Sequence, residues 1–426
     1  MGPVKSLNDA IDVLQPGPIE PGNPWYVEPE VHMHSGRKLP PLARLRAQLL
    51  RSHDADRYFL SGHIGSGKST ELKRMLADPA IQQRFYVVDF EIAPTDRPSL
   101  SSHQLLFLIA ATLYERAKGD KALVVFEKKE KWLGILQRMD GALYGSQGLA
   151  AKGGKFGLEF DLFFVKLRQE LNVDEGRRKE FRRFAETQGS VLVELIDALA
   201  DDIGTALVHA GLPSRVLVAI DDLEKVEHEE QLREIFETNL GAFLAPRVPV
   251  LATVPPSLTF GGPGTALGQR VTHLRPIQVL KKITVRDPMS AADPSGVDLL
   301  QRVLAARIDL GLFEPRVIEE AAVYSGGVIR DFFGLLRLAA ILALDLYGQP
   351  SVDSVAFDDV LIEETNNLTR ALYPTDKEAL REIHESHALK GPSQLDYMRR
   401  SVVLEYNHDG IWWDASPMLW RWLERT

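Results

Sequence analysis

Glycine, lysine and serine residues recur between positions 62 and 70 at a spacing suited to holding a phosphate chain. Four residues separate Gly62 from the Gly67-Lys68-Ser69 triplet, which completes the pattern of a phosphate-binding loop. Glycines permit the tight turn that directs successive backbone N–H groups at a β-phosphate, and the start of the following helix adds a partial positive charge. Lys68 would place its charge on the β- and γ-phosphates, and the Ser69 hydroxyl would bind Mg²⁺. The residues predicted to contact the nucleotide are Gly62, His63, Ile64, Gly65, Ser66, Gly67, Lys68, Ser69 and Thr70.

The sequence on either side of this loop predicts the two elements that must hold it. Tyr58–Ser61 is a short apolar run typical of a strand, and Glu71–Leu76 continues as a helix that ends at Asp78-Pro79. A glycine-rich turn formed by chance is the alternative, but such a turn would need neither element. We therefore expect a strand–loop–helix unit that binds the phosphates.

A second strand ends in carboxylates, as Mg²⁺-dependent phosphate chemistry requires. Val216–Ile220 is a continuous apolar run, typical of a central parallel strand covered on both faces, and Asp221, Asp222 and Glu224 follow it. Asp221 is predicted to hold Mg²⁺ through water. Asp222 is predicted to orient or deprotonate the attacking water, with Glu224 as the competing candidate. The alternative is an ordinary strand that ends in a solvated acidic turn.

Together these two segments resemble the AAA+ and STAND branch of P-loop ATPases, which includes initiator-type and NACHT-type proteins. In element order the resemblance extends over roughly residues 20–370, with strong motif identity at the two segments. It implies an ATPase with ATP and Mg²⁺ as cofactors, built on an α/β core with a parallel sheet. The family's usual Asp-Glu pair is Asp221-Asp222 here, which implies slow hydrolysis, as in members that act as switches.

Further site residues are implied by the same resemblance. Thr253, near the end of the strand-like segment 249–254, matches the polar residue that contacts the γ-phosphate or the lytic water. Arg330 matches the lid arginine that reaches over the nucleotide, although the usual preceding proline is absent; a helix-start arginine in a local salt bridge is the alternative. Arg270 or Arg275 lies where relatives that form rings or discs carry an arginine directed at a neighbour's γ-phosphate. A surface arginine at a sheet edge is the alternative there.

Two aromatic residues precede the core. Trp25 and Tyr26 lie in the region that folds over the adenine in the resembled family, where they would form a flat apolar wall. Simple packing on the core is the alternative. A helix with leucines on one face is predicted over Leu39–Arg51.

The chain of 426 residues is long enough for several domains. We expect an N-terminal extension with an adenine-side helix (1–50), a phosphate-loop core (51–290), a helical lid (291–372) and a winged-helix-like unit (373–426). The last is predicted from two helices followed by a hairpin that turns at Asn407–Gly410. An insertion in the core is predicted over about 120–190, with a strand or hairpin at Phe156–Leu162 because apolar residues alternate there.

The charge balance bears on the partners. The chain has 50 Lys and Arg against 59 Asp and Glu, a net charge of −9, which argues against a protein that works mainly on nucleic acid. Arg177–Arg183 holds five positive charges and one negative, and is interpreted as a nucleic-acid contact, a partner or self-assembly element, or a solvated helix face. Residues 374–426 hold seven basic and nine acidic residues. This balance favours a packing or autoinhibitory module, although Arg399 and Arg400 lie on the second predicted helix.

The absence of cysteine excludes disulfides and thiolate metal sites and suits a reducing cytoplasm, while no apolar run approaches the ~20 residues that cross a membrane. We predict a cytoplasmic regulatory ATPase that acts as a nucleotide-driven conformational or oligomerisation switch in bacterial-type signalling or antiphage defence. It would associate with itself and with a separate protein effector, and not with a membrane. A DNA-loading ATPase of replication or transposition and a non-hydrolysing nucleotide-dependent scaffold are the alternatives.

Overall fold

A computed structural model describes residues 2–29, 31–32, 38–123, 131–145, 148, 158–188, 190–226, 228–260, 267–407 and 410–424. The strands, in chain order, are β1 (Val31–His32), β2 (Lys38–Leu39), β3 (Arg57–Ser61), β4 (Phe85–Glu91), β5 (Arg215–Asp221), β6 (Val250–Val254), β7 (Val271–His273), β8 (Val403–Asn407) and β9 (Ile411–Ala415). Five of them form a parallel sheet in the order β4-β5-β6-β3-β7. The pairs β1–β2 and β8–β9 are antiparallel hairpins.

The register of the sheet brings the carboxyl ends of its central strands to one edge. Ser61 at the end of β3 lies opposite Val254 of β6, and Asp221 at the end of β5 lies opposite Glu91 of β4. Every residue of β3 and β6 is buried, because apolar clusters cover both faces of the sheet. The predicted fold class, an α/β phosphate-loop core with a parallel sheet, is confirmed.

The described helices are numbered in chain order. They are α1 (Leu7–Val13), α2 (Ala43–Leu49), α3 (Lys68–Leu76), α4 (Pro79–Arg84), α5 (Ser102–Gly119), α6 (Lys131–Tyr144), α7 (Leu158–Val173), α8 (Glu175–Thr187), α9 (Ser190–His209), α10 (Glu229–Arg233), α11 (Leu240–Leu244), α12 (Pro294–Ala305), α13 (Pro315–Tyr324), α14 (Ile329–Ile341), α15 (Ser354–Arg370), α16 (Pro374–Ser386), α17 (Leu395–Arg399) and α18 (Trp420–Glu424). In the described part of the chain, no helix combines the length and apolar character needed to span a membrane.

Helices α6, α7 and α8 form the insertion between β4 and β5 and pack beside α5. Aromatic rings make the contact: Phe107 of α5 lies 5.7 Å from Phe164 of α7, and Tyr114 of α5 lies 5.2 Å from Trp132 of α6, measured between ring centroids. The insertion therefore shares the hydrophobic core on one face of the sheet.

The strand predicted over Phe156–Leu162 is wrong, because the chain is helical from Leu158 onward. Phe156 and Gly157 lie outside the described residues. Buried apolar residues continue beyond the alternating stretch at helical spacing, and this longer period decides the local structure. Those residues are Phe163, Phe164, Leu167 and Leu171.

The helical region after the sheet and the C-terminal unit share one buried core. Helices α12 to α15 are followed by α16, α17 and the β8–β9 hairpin, in the predicted order. Leu7 and Ala10 of α1, with Leu14, join the same core, so the first helix of the chain belongs to the helical region. The identification of residues 373–426 as a winged helix stays a prediction.

Candidate nucleotide-binding site

The phosphate loop joins the end of β3 to the start of α3, as the sequence predicts. Gly65 and Gly67 have φ values of +88° and +96°, a left-handed conformation that glycine adopts without strain. At Gly62 a Cβ atom would lie 2.3 Å from the carbonyl oxygen of Leu274, just beyond β7. Glycine is therefore needed at these positions both for the turn and for the close approach of neighbouring segments.

Lys68 is buried, with 3% of its side chain exposed, and its ammonium group is fully occupied. It donates to the carbonyl oxygens of Gly62 and His63, each at 2.9 Å. Its third contact is an ion pair with Glu224, 3.1 Å from Lys68 Nζ to Glu224 Oε1. Three donors thus meet three acceptors, and the positive charge of the loop is balanced by a carboxylate from the β5 end.

Asp221 lies at the carboxyl end of β5 and accepts a hydrogen bond from the backbone N–H of Asp222 at 2.9 Å. Burial raises the pKa of Asp221, the negative charge of Glu224 adds to this, and the Ser69 hydroxyl opposes it. Carboxylate oxygens of Asp221, Asp222 and Glu224 lie within 4.8 Å of one another. A set of oxygen donors beside a serine hydroxyl fits Mg²⁺, whose charge would relieve the crowding of carboxylates.

Asp222 and Glu224 have different partners in the structure. Asp222 has a φ of +70°, and its carboxylate forms ion pairs with Arg97 Nη2 at 2.8 Å and Lys225 Nζ at 2.6 Å. Glu224 instead lies against Lys68 and near Thr253, a residue buried in β6. Burial disfavours the ionised form of Glu224, but Lys68 and the Thr253 hydroxyl outweigh it and hold the pKa of Glu224 below its ordinary value. The carboxylate beside the loop lysine is therefore Glu224.

The helical lid lies directly over the loop. The backbone N–H of Arg330 donates to the carbonyl oxygen of Gly65 at 3.2 Å, and a Cβ on Gly65 would come within 2.6 Å of Arg330 Cβ. Burial raises the pKa of the neighbouring Asp331 to about 6, and the charge of Arg330 opposes that shift. Arg330 thus stands at the loop with Asp331 as a nearby acid, and its role as a lid arginine stays a prediction beside the alternative of a local salt bridge.

The C-terminal hairpin also reaches the loop, a contact that sequence reasoning missed. The imidazole Nε2 of His63 accepts a hydrogen bond from the backbone N–H of Glu405 in β8 at 3.0 Å. Burial, together with the charge of Lys68, lowers the pKa of His63 to about 3, so the ring is neutral and can accept. Next to Glu405, the Tyr406 hydroxyl donates to the carbonyl oxygen of Gly326, in the turn before the lid helix α14, at 2.9 Å.

The two candidate inter-subunit arginines lie in different places. Arg275 is held within its own chain by Glu405, 2.6 Å from Nε to Oε1. Arg270 immediately precedes β7, at the amino end of that strand, and is exposed. Val271, the residue after Arg270, pairs with Phe59 in the middle of β3. Burial lowers the pKa of Arg57, the first residue of β3, and the charge of Arg270 adds to this, so Arg270 lies on the side away from the phosphate loop. Its use at a neighbouring subunit's nucleotide stays a prediction.

Trp25 and Tyr26 cross the helix that follows the loop. The Tyr26 hydroxyl donates to Glu71 Oε1 at 2.7 Å, and the Arg74 guanidinium lies 3.3 Å from the centre of the Tyr26 ring. Trp25 faces the lid side, with its ring 5.8 Å from the guanidinium carbon of Arg307. An arginine thus lies against each of the two rings, and their use as an apolar wall for adenine stays a prediction.

Most of the basic segment predicted as an interaction element is used within the chain. Arg177 pairs with Glu170 and Glu180, and Lys179 pairs with Glu175, while Arg178 donates to the carbonyl oxygens of two residues of α7. Arg182 and Arg183 remain exposed on α8. In the C-terminal unit, Arg399 and Arg400 both contact Asp396.

Comparisons with known proteins leave the family open. No protein-family model matches the chain, and no curated protein sequence matches it. Among solved structures, one similar chain is the Orc1 protein of Aeropyrum pernix, determined in complex with DNA. The match includes 95% of this chain and 93% of the Orc1 chain, with 14% sequence identity and a TM-score of 0.39. A second is a point mutant of RuvB from Thermotoga maritima. This match includes 62% of this chain and 95% of the RuvB chain, with 11% sequence identity and a TM-score of 0.27. At these scores neither likeness carries an argument about function, which rests on the site's own geometry.

Proposed function

We propose that this chain is a regulatory ATPase of the AAA+ type that binds ATP with Mg²⁺ and uses the nucleotide to switch between two conformations. The observation that carries this proposal is the Lys68–Glu224 pair inside the phosphate loop. A nucleotide that reaches Lys68 would replace one of its three acceptors, and Glu224 is the one that competes by charge. Binding is therefore tied to a rearrangement between the loop and the end of β5.

The chemistry follows from the positions of the same groups. Backbone N–H groups of the loop and Lys68 would bind the β- and γ-phosphates, and Ser69 with Asp221 would hold Mg²⁺, which neutralises charge on the phosphates. Glu224, released from Lys68, would orient and deprotonate the attacking water. Thr253 would bind the γ-phosphate or that water. The buried, paired state of Glu224 supports slow turnover, because the base must first be freed.

The switch would act through the two segments that lie on the loop. The lid touches the loop at Gly65 through Arg330, and the C-terminal hairpin touches it at His63 through Glu405. A phosphate group in the loop would favour whichever lid position best satisfies its charge, and Arg330, which touches the loop at Gly65, would supply the cation. A ligand shifts a conformational equilibrium only by its differential affinity for the two states, and these contacts supply that difference. Trp25 would line the base.

We expect the nucleotide-driven switch to control self-association, because Arg270 is exposed and free to contact a neighbouring copy of the chain. Mass photometry of the purified chain with Mg²⁺ and ADP, and then with a slowly hydrolysed ATP analogue, tests it. The expected result is a defined oligomer only with the analogue, and its loss on Arg270→Ala. An exposed arginine far from the site, Arg302→Ala on α12, is the matched control. A monomer under both nucleotides would contradict nucleotide-driven self-association, and a separate protein effector in signalling or defence would then be the output to test.

DNA binding and phosphate release, measured on the same protein, distinguish the regulatory ATPase from the two alternative functions. Salt-sensitive binding of duplex DNA, weakened by substitution of Arg182 and Arg183, would favour a DNA-loading ATPase. Nucleotide-dependent assembly without phosphate release would favour a scaffold that never turns over. Turnover that Lys68→Ala abolishes supports the regulatory ATPase over the scaffold.

The C-terminal unit is clamped to the connection between sheet and lid by a buried histidine. His384 Nδ1 lies 2.7 Å from Asp414 Oδ1, and Nε2 lies 3.1 Å from the carbonyl oxygen of Val285. Both partners are acceptors, so the protonated ring can donate on both sides. Burial by itself lowers the pKa of His384, but Asp414 and the Val285 carbonyl outweigh it, and the pKa lies above its ordinary value of 6.5.

This clamp predicts a pH-dependent contribution to stability. Because the folded-state pKa is raised, the contribution is complete below the ordinary pKa of the unfolded chain and is lost as pH rises through the folded-state value. Melting temperatures of the wild type and His384→Gln, compared from about pH 5.5 to about pH 8.5, should differ most at the acid end and converge at the alkaline end. The exposed His53→Gln variant should follow the wild type. A difference that does not change with pH would refute the charged clamp.

A further inference from the structure

We propose that the inserted helix α7 sets the metal affinity of the nucleotide site through the adjacent residues Asp96 and Arg97. The inference rests on the proposed function, since it concerns the Mg²⁺ held by Ser69 and Asp221. It gives the insertion a role as a positioning element for the site, which neither the phosphate loop nor the lid provides.

On the insertion side, two side chains of α7 hold one buried carboxylate. Arg168 Nη2 donates to Asp96 Oδ2 at 2.7 Å and Arg168 Nε to Asp96 Oδ1 at 3.4 Å, while Asn172 Nδ2 donates to Asp96 Oδ1 at 2.8 Å. Asp96 is only 4% exposed. A bidentate arginine contact has defined geometry, so the position of α7 and the position of Asp96 are fixed together.

On the site side, the next residue holds the end of β5. Arg97 Nη2 donates to Asp222 Oδ2 at 2.8 Å, and Arg97 Nε donates to the carbonyl oxygen of Ile92, just after β4, at 3.2 Å. Asp222 keeps a φ of +70°, which is costly for a residue other than glycine and persists only where neighbours impose it. Arg97 and Lys225 both hold the Asp222 carboxylate.

Asp222 also holds the neighbouring carboxylate through its backbone. The N–H of Asp222 donates to Asp221 Oδ1 at 2.9 Å, which orients the carboxylate predicted to hold Mg²⁺. Loss of a hydrogen-bond partner of a metal ligand typically weakens metal binding by about 10- to 100-fold. Because Asp96 and Arg97 are consecutive, a movement of α7 must be transmitted to Asp222 and so to Asp221.

The test measures metal binding directly. Mn²⁺ is titrated into the full chain, saturated with a slowly hydrolysed ATP analogue, and free Mn²⁺ is followed by electron paramagnetic resonance. Arg97→Ala and Arg168→Ala should each weaken Mn²⁺ binding about tenfold. The double variant should be no weaker than Arg97→Ala alone, because both substitutions cut the same connection. Arg138→Ala removes an exposed ion pair with Glu194 from the same insertion and should bind Mn²⁺ like the wild type.

A second variant guards against a purely structural effect. Arg168→Ala leaves Asp96 buried without its cation. Asp96→Asn combined with Arg168→Met removes both charges together and breaks the bidentate contact, so that only the hydrogen bond from Asn172 still joins α7 to position 96. Weaker Mn²⁺ binding by this pair at an unchanged melting temperature supports the inference. Wild-type Mn²⁺ affinity in the Arg168 variants refutes it, whatever Arg97→Ala does. Failure of the proposed function is distinguishable, because it would appear as nucleotide binding that survives Lys68→Ala.

Discussion

Replacing Glu224 with glutamine should lower ATP turnover by about 10²–10⁴-fold and at the same time tighten nucleotide binding by about tenfold. The two effects have different causes. Turnover falls because glutamine cannot accept the proton of the attacking water. Binding tightens because Lys68, 3.1 Å from Glu224 in this structure, loses the carboxylate that competes with the phosphates for its charge.

Steady-state phosphate release and binding of a fluorescent ATP analogue measure the two effects separately. Asp222→Asn is the matched comparison, since it neutralises the neighbouring carboxylate that faces Arg97 and Lys225. It should retain far more turnover than Glu224→Gln. The reverse order would show that Asp222, the first candidate from the sequence, is the base after all, and that the pairing of Glu224 with Lys68 serves only the folded state.

Lys68→Ala is the second substitution with a large expected effect. It should weaken ATP binding by about 10- to 100-fold, since hydrogen bonds from a charged group contribute roughly 1.5–3 kcal/mol each, and it should abolish turnover. Binding is measured with the fluorescent analogue in the presence of Mg²⁺. ATP binding equal to that of the wild type would overturn the assignment of the site.

Weaker ATP binding by Lys68→Ala would also follow from a loss of stability, and a double variant distinguishes the two causes. The substitution leaves Glu224 buried without its cation, and orphaning one member of a buried pair costs about 3–5 kcal/mol of stability. Lys68→Ala combined with Glu224→Gln removes both charges. Its melting temperature should recover toward the wild type while its ATP affinity stays low. Recovery of both would mean that Lys68 acts through stability and not through the phosphates.

The parts of the site that sequence could predict are those determined locally. The phosphate loop is contiguous, and its strand and helix follow from apolar runs on either side, so the loop lies between β3 and α3 as predicted; its contacts with a nucleotide stay a prediction. Asp221 is likewise fixed by its position at the end of a buried strand. Both depend on residues within a few positions of one another, where hydrophobic periodicity and glycine spacing are informative.

The parts that could not be predicted depend on conformation or on distant segments. The pairing of Lys68 with Glu224, where the sequence offered Asp222 first, accompanies a φ of +70° at Asp222, which no local sequence pattern predicts for an aspartate. The contact between His63 and Glu405 joins residues 342 positions apart. The helix at Leu158–Val173 is not evident from the sequence, because a few alternating apolar residues come before a longer run of apolar residues at helical spacing. The longer run determines the secondary structure.

Isothermal titration of the purified chain with a slowly hydrolysed ATP analogue, with and without Mg²⁺, tests nucleotide binding at this loop. We expect one binding site per chain, tighter with Mg²⁺ and weakened at least about tenfold in the Lys68→Ala/Glu224→Gln double variant. Absence of binding by the wild type, or wild-type affinity in the double variant, would contradict binding at this loop.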